Sequence, residues 1–224
     1  MVQKKCAVLF SGGKDSCLAL HLAKQNGYDI KYLLSVIPEN FDSFMFHKPY
    51  LNLLEEQAEM LGVDLLVVGS EGVKEKEVDD LGLIIGKVKD EIDVVVVGGI
   101  ASDYQGGRIK KVCSKLNLEF YAPLLGFPSE QIWEELLNEK FKVILTKISC
   151  EGLSKDFLGK IIDRKRFNEL KRLGEKYKFR IDFEGGEAES AVIFMPGFSG
   201  EIFIEFEVES EGKYRHFLKI RKVK

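Results

Sequence analysis

The sequence predicts an α/β protein in which a doubly wound parallel sheet is followed by a smaller α+β domain. Up to Tyr121, short uninterrupted apolar segments alternate with amphipathic ones. Strands without a polar face are typical of parallel sheets that helices cover on both sides. After Pro123 the predicted helices come before most of the predicted strands. The last two of these strands alternate apolar and polar residues, as strands with one solvated face do.

The N-terminal part contains five predicted strands and four predicted helices. The strands are short runs rich in Val, Ile and Leu, and the helices place apolar residues three and four positions apart. In chain order these elements are strand Lys5–Phe10, helix Cys17–Gln25, strand Asp29–Val36, helix Pro49–Leu61, strand Asp64–Val68, helix Glu75–Glu91, strand Ile92–Val97, helix Arg108–Leu116 and strand Glu119–Tyr121.

The C-terminal part is predicted to hold two helices and five strands. The helices are Glu130–Lys140 and Lys155–Lys178, and the strands are Val143–Ile148, Arg180–Phe183, Ala191–Met195, Glu201–Val208 and Tyr214–Lys222. The last two strands flank Glu209–Lys213, which predicts a β-hairpin. We therefore expect one domain over residues 1–127 and a second over residues 128–224.

Composition and charge exclude several classes of protein. The chain has 224 residues, of which 45% are hydrophobic and 31% charged, as in ordinary globular proteins. A net charge of -3 argues against a dedicated nucleic-acid binder. No apolar run approaches the roughly 18 residues of a spanning helix, and no secretory leader is evident, so we expect a cytoplasmic protein without membrane association. The scattered cysteines and histidines offer no zinc spacing.

The segment between the first strand and the first helix has the composition of a phosphate-binding loop. It reads Ser11-Gly12-Gly13-Lys14-Asp15-Ser16. Two glycines let backbone amides approach an anion, the helix contributes its positive end, and Lys14 adds a charge. A carboxylate beside phosphates needs a cation, so Asp15 predicts bound Mg²⁺. The Walker pattern is not met, because Asp15 follows Lys14. The alternative is a loop whose Ser and Asp only start the helix.

A second polar block follows the valine-rich strand and is expected at the same edge of the sheet. Gly98 and Gly99 would let the backbone approach a ribose or adenine closely. Ser102, Asp103, Gln105 and Arg108 come next, and Arg108 has the charge to pair with phosphates or a carboxylate. The alternative is that Ser102 and Asp103 cap a helix and Arg108 is solvated.

A third block lies between predicted strands and is acidic. It reads Glu184-Gly185-Gly186-Glu187-Ala188-Glu189-Ser190. From Phe183 through Gly212 there are eight glutamates and no lysine or arginine. Such a stretch would repel an RNA backbone and suits a cationic partner. The alternative is a solvated turn.

These blocks resemble a known enzyme family. Ser11–Ser16 is similar to the PP-loop of the N-type ATP pyrophosphatases, a Rossmann-like group that cleaves ATP to AMP and pyrophosphate. Four further blocks resemble the diphthine–ammonia ligase (diphthamide synthase) family: Met45-Phe46-His47, Gly98–Gln105 with Arg108 and Cys113, Ala122–Gly126, and Glu184–Ser190. The blocks fall in the expected order over nearly the whole chain. Ala188 stands where the family more often has an aromatic residue.

The resemblance implies an ATP-dependent ligase. It would adenylate the carboxylate of diphthine on translation elongation factor two and amidate it with ammonia, releasing AMP and pyrophosphate. The trimethylammonium group of diphthine would meet Glu187, Glu189 and aromatic rings such as Phe183, Phe194 and Phe198. No glutaminase segment is evident, so free ammonium is the expected nitrogen source.

On this basis each block receives an expected role. The catalytic residues would be Lys14, Asp103 and Arg108. ATP would contact Ser11, Gly12, Gly13, Lys14, Asp15, Ser16, Gly98, Gly99 and Ser102, and Mg²⁺ would bind Asp15. The substrate would contact Tyr104, Gln105, Glu184, Gly185, Gly186, Glu187, Glu189 and Ser190. Two other functions stay open, a tRNA-modifying PP-loop enzyme and a non-catalytic ATP sensor. A homo-oligomer is also open.

Overall fold

The computed structural model describes residues 3–38, 50–70, 76–99 and 103–224. Contacts between Cα atoms divide the chain into two compact units. The first comprises Met1–Ser11 and Asp15–Leu125, and the second comprises Gly12–Lys14 and Gly126–Lys224. None of the helices in these described ranges has the length and apolarity that crossing a bilayer requires.

The first unit is built on a parallel sheet. Its strands are β1 (Lys5–Leu9), β2 (Asp29–Pro38), β3 (Asp64–Ser70), β4 (Val94–Val96) and β5 (Glu119–Tyr121), and its helices are α1 (Lys14–Gln25), α2 (Leu51–Leu61), α3 (Lys76–Gly86) and α4 (Asp103–Lys115). The strand order is β3-β2-β1-β4-β5, and every described pair is parallel. The predicted doubly wound sheet is therefore confirmed. The order reverses at β1, which pairs with both β2 and β4.

The central strands are apolar on both faces because helices cover both. In β1, Cys6 and Val8 are fully buried, and so is the neighbouring Val95 of β4. One core cluster joins sheet residues such as Val95 to Leu81 of α3 and Cys113 of α4. The uninterrupted apolar runs seen in the sequence are these doubly covered strands.

The second unit contains an antiparallel sheet. Its strands are β6 (Lys142–Ile148), β7 (Ala188–Phe194), β8 (Ile204–Glu211) and β9 (Arg215–Val223), and its helices are α5 (Ser129–Asn138) and α6 (Arg164–Tyr177). The strand order is β7-β6-β9-β8. The predicted hairpin is confirmed, since β8 and β9 pair antiparallel down to Glu211 and Arg215.

The predicted helix Lys155–Lys178 is wrong in its first half. The structure has a short 3-10 turn at Lys155–Phe157 and then α6. Each piece has its own cap, because Ser154 Oγ accepts the Asp156 N–H at 3.3 Å and Asp163 Oδ1 accepts the Arg166 N–H at 2.8 Å. Two helix starts, separated by two isolated bridges to β6, replace one long helix.

Two other predicted elements also differ. The predicted helix Glu75–Glu91 ends at Gly86, and hydrogen-bonded turns follow it. The predicted strand Arg180–Phe183 is a turn in which Phe183 has a φ of 65°. A positive φ at an aromatic residue is incompatible with a strand.

Gly159 tests how tightly the second unit is packed. Its φ is +64°, and a Cβ there would lie 2.2 Å from the Phe206 ring of β8. Gly212, in the hairpin turn, has a φ of +73° but no atom within 4 Å of such a Cβ. Gly212→Ala should therefore lower the free energy of unfolding only by the cost of placing alanine in the left-handed conformation, about 1–2 kcal/mol. Gly159→Ala should lower the free energy of unfolding by about 1–3 kcal/mol more than Gly212→Ala does, because the added methyl group overpacks the site. Urea unfolding measures both, and equal losses would contradict the described contact.

Candidate functional site

The predicted phosphate loop closes on itself at the end of β1. The Ser11 N–H donates to Ser16 Oγ at 3.3 Å, and the two hydroxyl oxygens lie 3.2 Å apart. Gly12 has a φ of 71°, the left-handed conformation that glycine tolerates best. Helix α1 begins at Lys14, three residues earlier than predicted. The loop is therefore a tight strand-to-helix turn of the kind that presents amides to an anion.

The residue after β4 packs directly on this turn. A Cβ at Gly98 would lie 2.6 Å from the carbonyl carbon of Asp15 and 2.6 Å from the Ser16 nitrogen. Real Cβ atoms do not approach backbone this closely, so only glycine fits without a shift of α1. Gly98 is buried and Gly99 is exposed. The second predicted block thus begins beside the loop, as expected from the shared sheet edge.

The rest of the second block is described only in part. Ser102 lies outside the described residues, as do the resemblance residues Met45, Phe46 and His47. Asp103, Tyr104 and Gln105 form the first turn of α4, where the backbone alone is described. Arg108 is half-buried on the same helix. The helix therefore starts five residues before the predicted Arg108, and the expected roles of these side chains stay predictions.

The loop residues Gly12–Lys14 contact β7 within the second unit. The Val192 N–H donates to the Gly12 carbonyl at 3.0 Å. The Lys14 N–H donates to the Ser190 hydroxyl at 3.2 Å. Ser190 comes from the third predicted block, so the structure brings residues of the first and third blocks together.

The side chain of Lys14 is buried against the turn at Asp182 and Phe183, which comes directly before the third block. Only 2% of Lys14 is exposed. Its Nζ donates to the backbone carbonyl of Asp182 at 2.6 Å and lies 5.7 Å from the centroid of the Phe183 ring. Buried ammonium groups require such acceptors. Sequence reasoning missed this partner, because Asp182 was placed in a strand.

The carboxylate of Asp182 holds the turn together. It accepts hydrogen bonds from Ser129 Oγ at 2.5 Å, from Arg180 Nε and Nη2 at 3.0 and 2.7 Å, and from the Glu184 N–H at 3.1 Å. Burial alone would raise the pKa of this carboxyl. The Arg180, Ser129 and Glu184 hydrogen bonds outweigh burial and hold the pKa at about 2. The group is therefore a structural anion at neutral pH.

The third block uses its carboxylates within the chain. Glu187 accepts the Gly185 N–H at 2.9 Å and the Arg180 N–H at 3.2 Å. Glu189 forms an ion pair with Lys147 at 2.8 Å. Gly186 provides the positive φ of the turn, 82°. These contacts give Glu187 and Glu189 structural partners, and their expected contact with substrate stays a prediction.

Six of the eight glutamates from Phe183 through Gly212 form ion pairs with lysines or arginines of the chain. On β8, three glutamates pair with β9: Glu207 with Arg221 at 2.7 Å, Glu209 with Lys219 at 2.7 Å and Glu211 with Arg215 at 3.2 Å. Glu205 pairs at 3.1 Å with Lys224, which follows β9. Glu201 pairs with Lys142 of β6. The Lys224 and Arg221 hydrogen bonds lower the pKa of Glu205 and Glu207. These ion pairs weaken the argument from charge against an RNA partner, and that expectation stays a prediction.

Two of the three aromatic rings named for a substrate cation already face lysines of the chain. Phe183 is 5% exposed and faces Lys14. The Phe194 ring lies 5.7 Å from Lys142 Nζ. A substrate cation would have to displace these ammonium groups, so the structure does not favour these two rings for that role.

Metal and thiol chemistry are limited by the side chains present. Among the described residues, no group of three or more His, Cys, Asp or Glu side chains could hold a metal ion. Asp15, in the first turn of α1, offers one carboxylate. This fits Mg²⁺, which commonly combines one carboxylate with phosphate oxygens. Burial raises the pKa of Cys17, and it raises those of Cys113 and Cys150 to about 11 and that of Cys6 to about 12. The four thiols are therefore poor nucleophiles at neutral pH.

Two family models together match most of the chain. The diphthamide synthase N-terminal domain matches residues 4–120, and the diphthamide synthase C-terminal domain matches residues 128–224. The chain is also similar to proteins named diphthine–ammonia ligase. It is 31% identical to that of Mus musculus, over 90% of this chain and 83% of the relative. It is 32% identical to that of Danio rerio, over 88% of this chain and 85% of the relative.

Similarity to solved structures is weaker. A predicted subunit of tRNA methyltransferase from Methanocaldococcus jannaschii has a TM-score of 0.46 and 20% identity, over 86% of this chain and 98% of that one. A 4-thiouridine synthetase in complex with RNA and ATP has a TM-score of 0.42 and 16% identity, over 85% of this chain and 55% of that one. Likenesses of this strength do not bear on function.

The low pKa of Asp182 predicts how stability depends on pH. The folded-state pKa, about 2, lies below the ordinary value of 3.8. The ionised carboxylate therefore stabilises the fold above about pH 4, and this contribution is lost as the pH falls towards about 2. When urea unfolding is measured as the pH falls through this range, the free energy of unfolding of the wild type should decrease more steeply than that of Asp182→Asn. Parallel pH profiles would show that Asp182 contributes nothing through its charge.

Gly98 gives a second prediction. Gly98→Ala forces the start of α1 to move, which should destabilise the protein by about 1–3 kcal/mol and weaken nucleotide binding. Gly86→Ala is the matched control, because no atom lies within 4 Å of its added Cβ. Thermal melting and calorimetric titration with ATP measure the two effects. Equal behaviour of the two variants would contradict the close approach.

Proposed function

The chain belongs to the diphthamide synthase family, and from this membership we propose that it is a diphthine–ammonia ligase. It is an ATP-dependent ligase that forms an amide bond. The observation that carries the proposal is that both domains of the family match, because the PP-loop alone is shared by enzymes of several functions. The acceptor is the carboxylate of diphthine on translation elongation factor two, and the nitrogen comes from ammonium.

The first step activates the carboxylate. One carboxylate oxygen attacks the α-phosphorus of ATP, the bond to the β-phosphate oxygen breaks, and pyrophosphate leaves with the electron pair. We assign binding of the departing phosphates to the loop Ser11–Ser16 and the Lys14 ammonium. Arg108 is our candidate for a further positive charge. When bound, Mg²⁺ on Asp15 would neutralise part of the phosphate charge.

The second step forms the amide. The nitrogen lone pair of ammonia attacks the carbonyl carbon of the acyl-adenylate, AMP leaves, and the nitrogen loses one proton. Burial raises the pKa of all four cysteines, which disfavours a thiolate nucleophile, and ammonia attacks the acyl-adenylate directly. The chain therefore acts by positioning the two substrates and stabilising charge.

The alternatives are less well supported. A tRNA-modifying enzyme that transfers sulfur needs a reactive thiolate, and burial raises the pKa of every cysteine here. An ATP sensor without catalysis does not fit relatives that are named as ligases. Location in the cytoplasm belongs to the same proposal, since the acceptor is a translation factor.

Product analysis tests the proposal. The protein is incubated with ATP, Mg²⁺, isotopically labelled ammonium and diphthine-bearing elongation factor two. AMP and pyrophosphate should form only when the factor and ammonium are both present, and the label should enter the factor as an amide. AMP formed with tRNA instead would support the tRNA enzyme. ATP that stays bound and intact would support the sensor.

Lys14 is the sharpest single-residue test. Lys14→Ala should slow AMP formation by about 100-fold or more, because it removes a charge that stabilises the departing pyrophosphate. Lys24→Ala is the matched control, since Lys24 is exposed in the last turn of the same helix. A Lys14→Ala protein with the rate of the Lys24→Ala protein would remove the loop from the mechanism.

A further inference from the structure

We propose that Asp182 is a positioning residue, whose carboxylate fixes a turn that holds the Lys14 ammonium in place. The inference deepens the proposed function and rests on it for the role of Lys14 in ATP cleavage. All the contacts involved lie within the second unit, which includes Gly12–Lys14.

One acceptor of the Lys14 ammonium is a neutral backbone carbonyl. Lys14 Nζ donates to the Asp182 backbone carbonyl at 2.6 Å, a short distance typical of charge-assisted hydrogen bonds. A carbonyl orients the ammonium without cancelling its charge, whereas a carboxylate in the same place would cancel it. This contact therefore fixes the position of the ammonium.

The Asp182 carboxylate is committed elsewhere. It pairs with Arg180 through two hydrogen bonds and also accepts from Ser129, the first residue of α5. Arg180 thus balances the negative charge of Asp182. The Asp182 side chain is 6% exposed. The carboxylate faces α5 and Arg180 while the carbonyl of the same residue faces Lys14.

The neighbouring residues hold the carbonyl in this orientation. Trp133 Nε1 donates to the Ile181 carbonyl at 2.6 Å, one residue before Asp182. Phe183, one residue after, has a φ of 65°. Its ring meets Trp133 edge-on, with centroids 6.0 Å apart. Strained backbone of this kind persists where the surrounding structure enforces it, and it is enriched at functional sites.

The test measures coupling between Asp182 and Lys14 through ligand binding. Inorganic pyrophosphate and AMP are the probes, measured by calorimetric titration. Asp182→Ala should weaken pyrophosphate binding roughly 10- to 100-fold and leave AMP binding unchanged, because Lys14 acts on the phosphates that leave. In a Lys14→Ala background, Asp182→Ala should cause no further loss, because the group it positions is gone.

Two additional variants separate positioning from stability. Asp163→Ala removes the cap of α6 and should lower the melting temperature without changing pyrophosphate binding. Asp182→Asn keeps one side-chain oxygen, which can still accept the Glu184 N–H, so it should fold and recover part of the affinity. The inference is overturned by an equal loss in both backgrounds, by an equal loss for AMP, or by an Asp182→Asn protein with wild-type affinity for pyrophosphate.

These measurements need no elongation factor, so they are independent of the acceptor. If the wild type fails to amidate diphthine but the two residues are coupled, the proposed function fails and the positioning stands. If amidation is observed and the two losses are additive, the positioning fails and the proposed function stands.

Discussion

A buried ammonium must have acceptors, and the packing around the phosphate loop satisfies this requirement for Lys14. Leaving such a group unpaired in the interior would cost several kcal/mol. One acceptor is the backbone carbonyl of Asp182, 168 residues further along the chain. The orientation of that carbonyl depends on the backbone turn at Asp182, which hydrogen bonds from Ser129, Arg180 and Trp133 hold in place. The position of one short-motif side chain is thus determined by a distant part of the fold.

A second constraint acts in the first unit, at the point where the strand order reverses. Because β1 pairs with both β2 and β4, the residues after β1 and after β4 must share a narrow space. Gly98 meets the backbone of Asp15 and Ser16 there. Any side chain would push the first turn of α1 away. The two glycine-containing blocks are therefore consequences of one topology, and that topology explains why both could be anticipated from the sequence.

Features that depend on local pattern were predictable, and features that depend on long-range pairing were not. The uninterrupted valine and leucine runs predicted the parallel sheet because helices bury both faces. The segment Arg180–Phe183 has strand-like composition, but the Asp182 side chain competes for the backbone and holds a turn. A count of charges along the chain similarly missed that glutamates of β8 meet lysines and arginines of β9. Pairing across strands cannot be seen in a one-dimensional charge pattern.

The same distinction applies to function. Phosphate chemistry is encoded in a loop of six residues, so it can be inferred from composition and position alone. The choice of acceptor is not encoded so locally, because the carboxylates that seemed suited to a cation have internal partners: Glu189 pairs with Lys147, and Glu187 closes its own turn. To bind a substrate cation, each would have to exchange one partner for another, which gives little net gain in affinity. The proposed acceptor therefore rests on the family match over residues 4–120 and 128–224, and not on this acidic block.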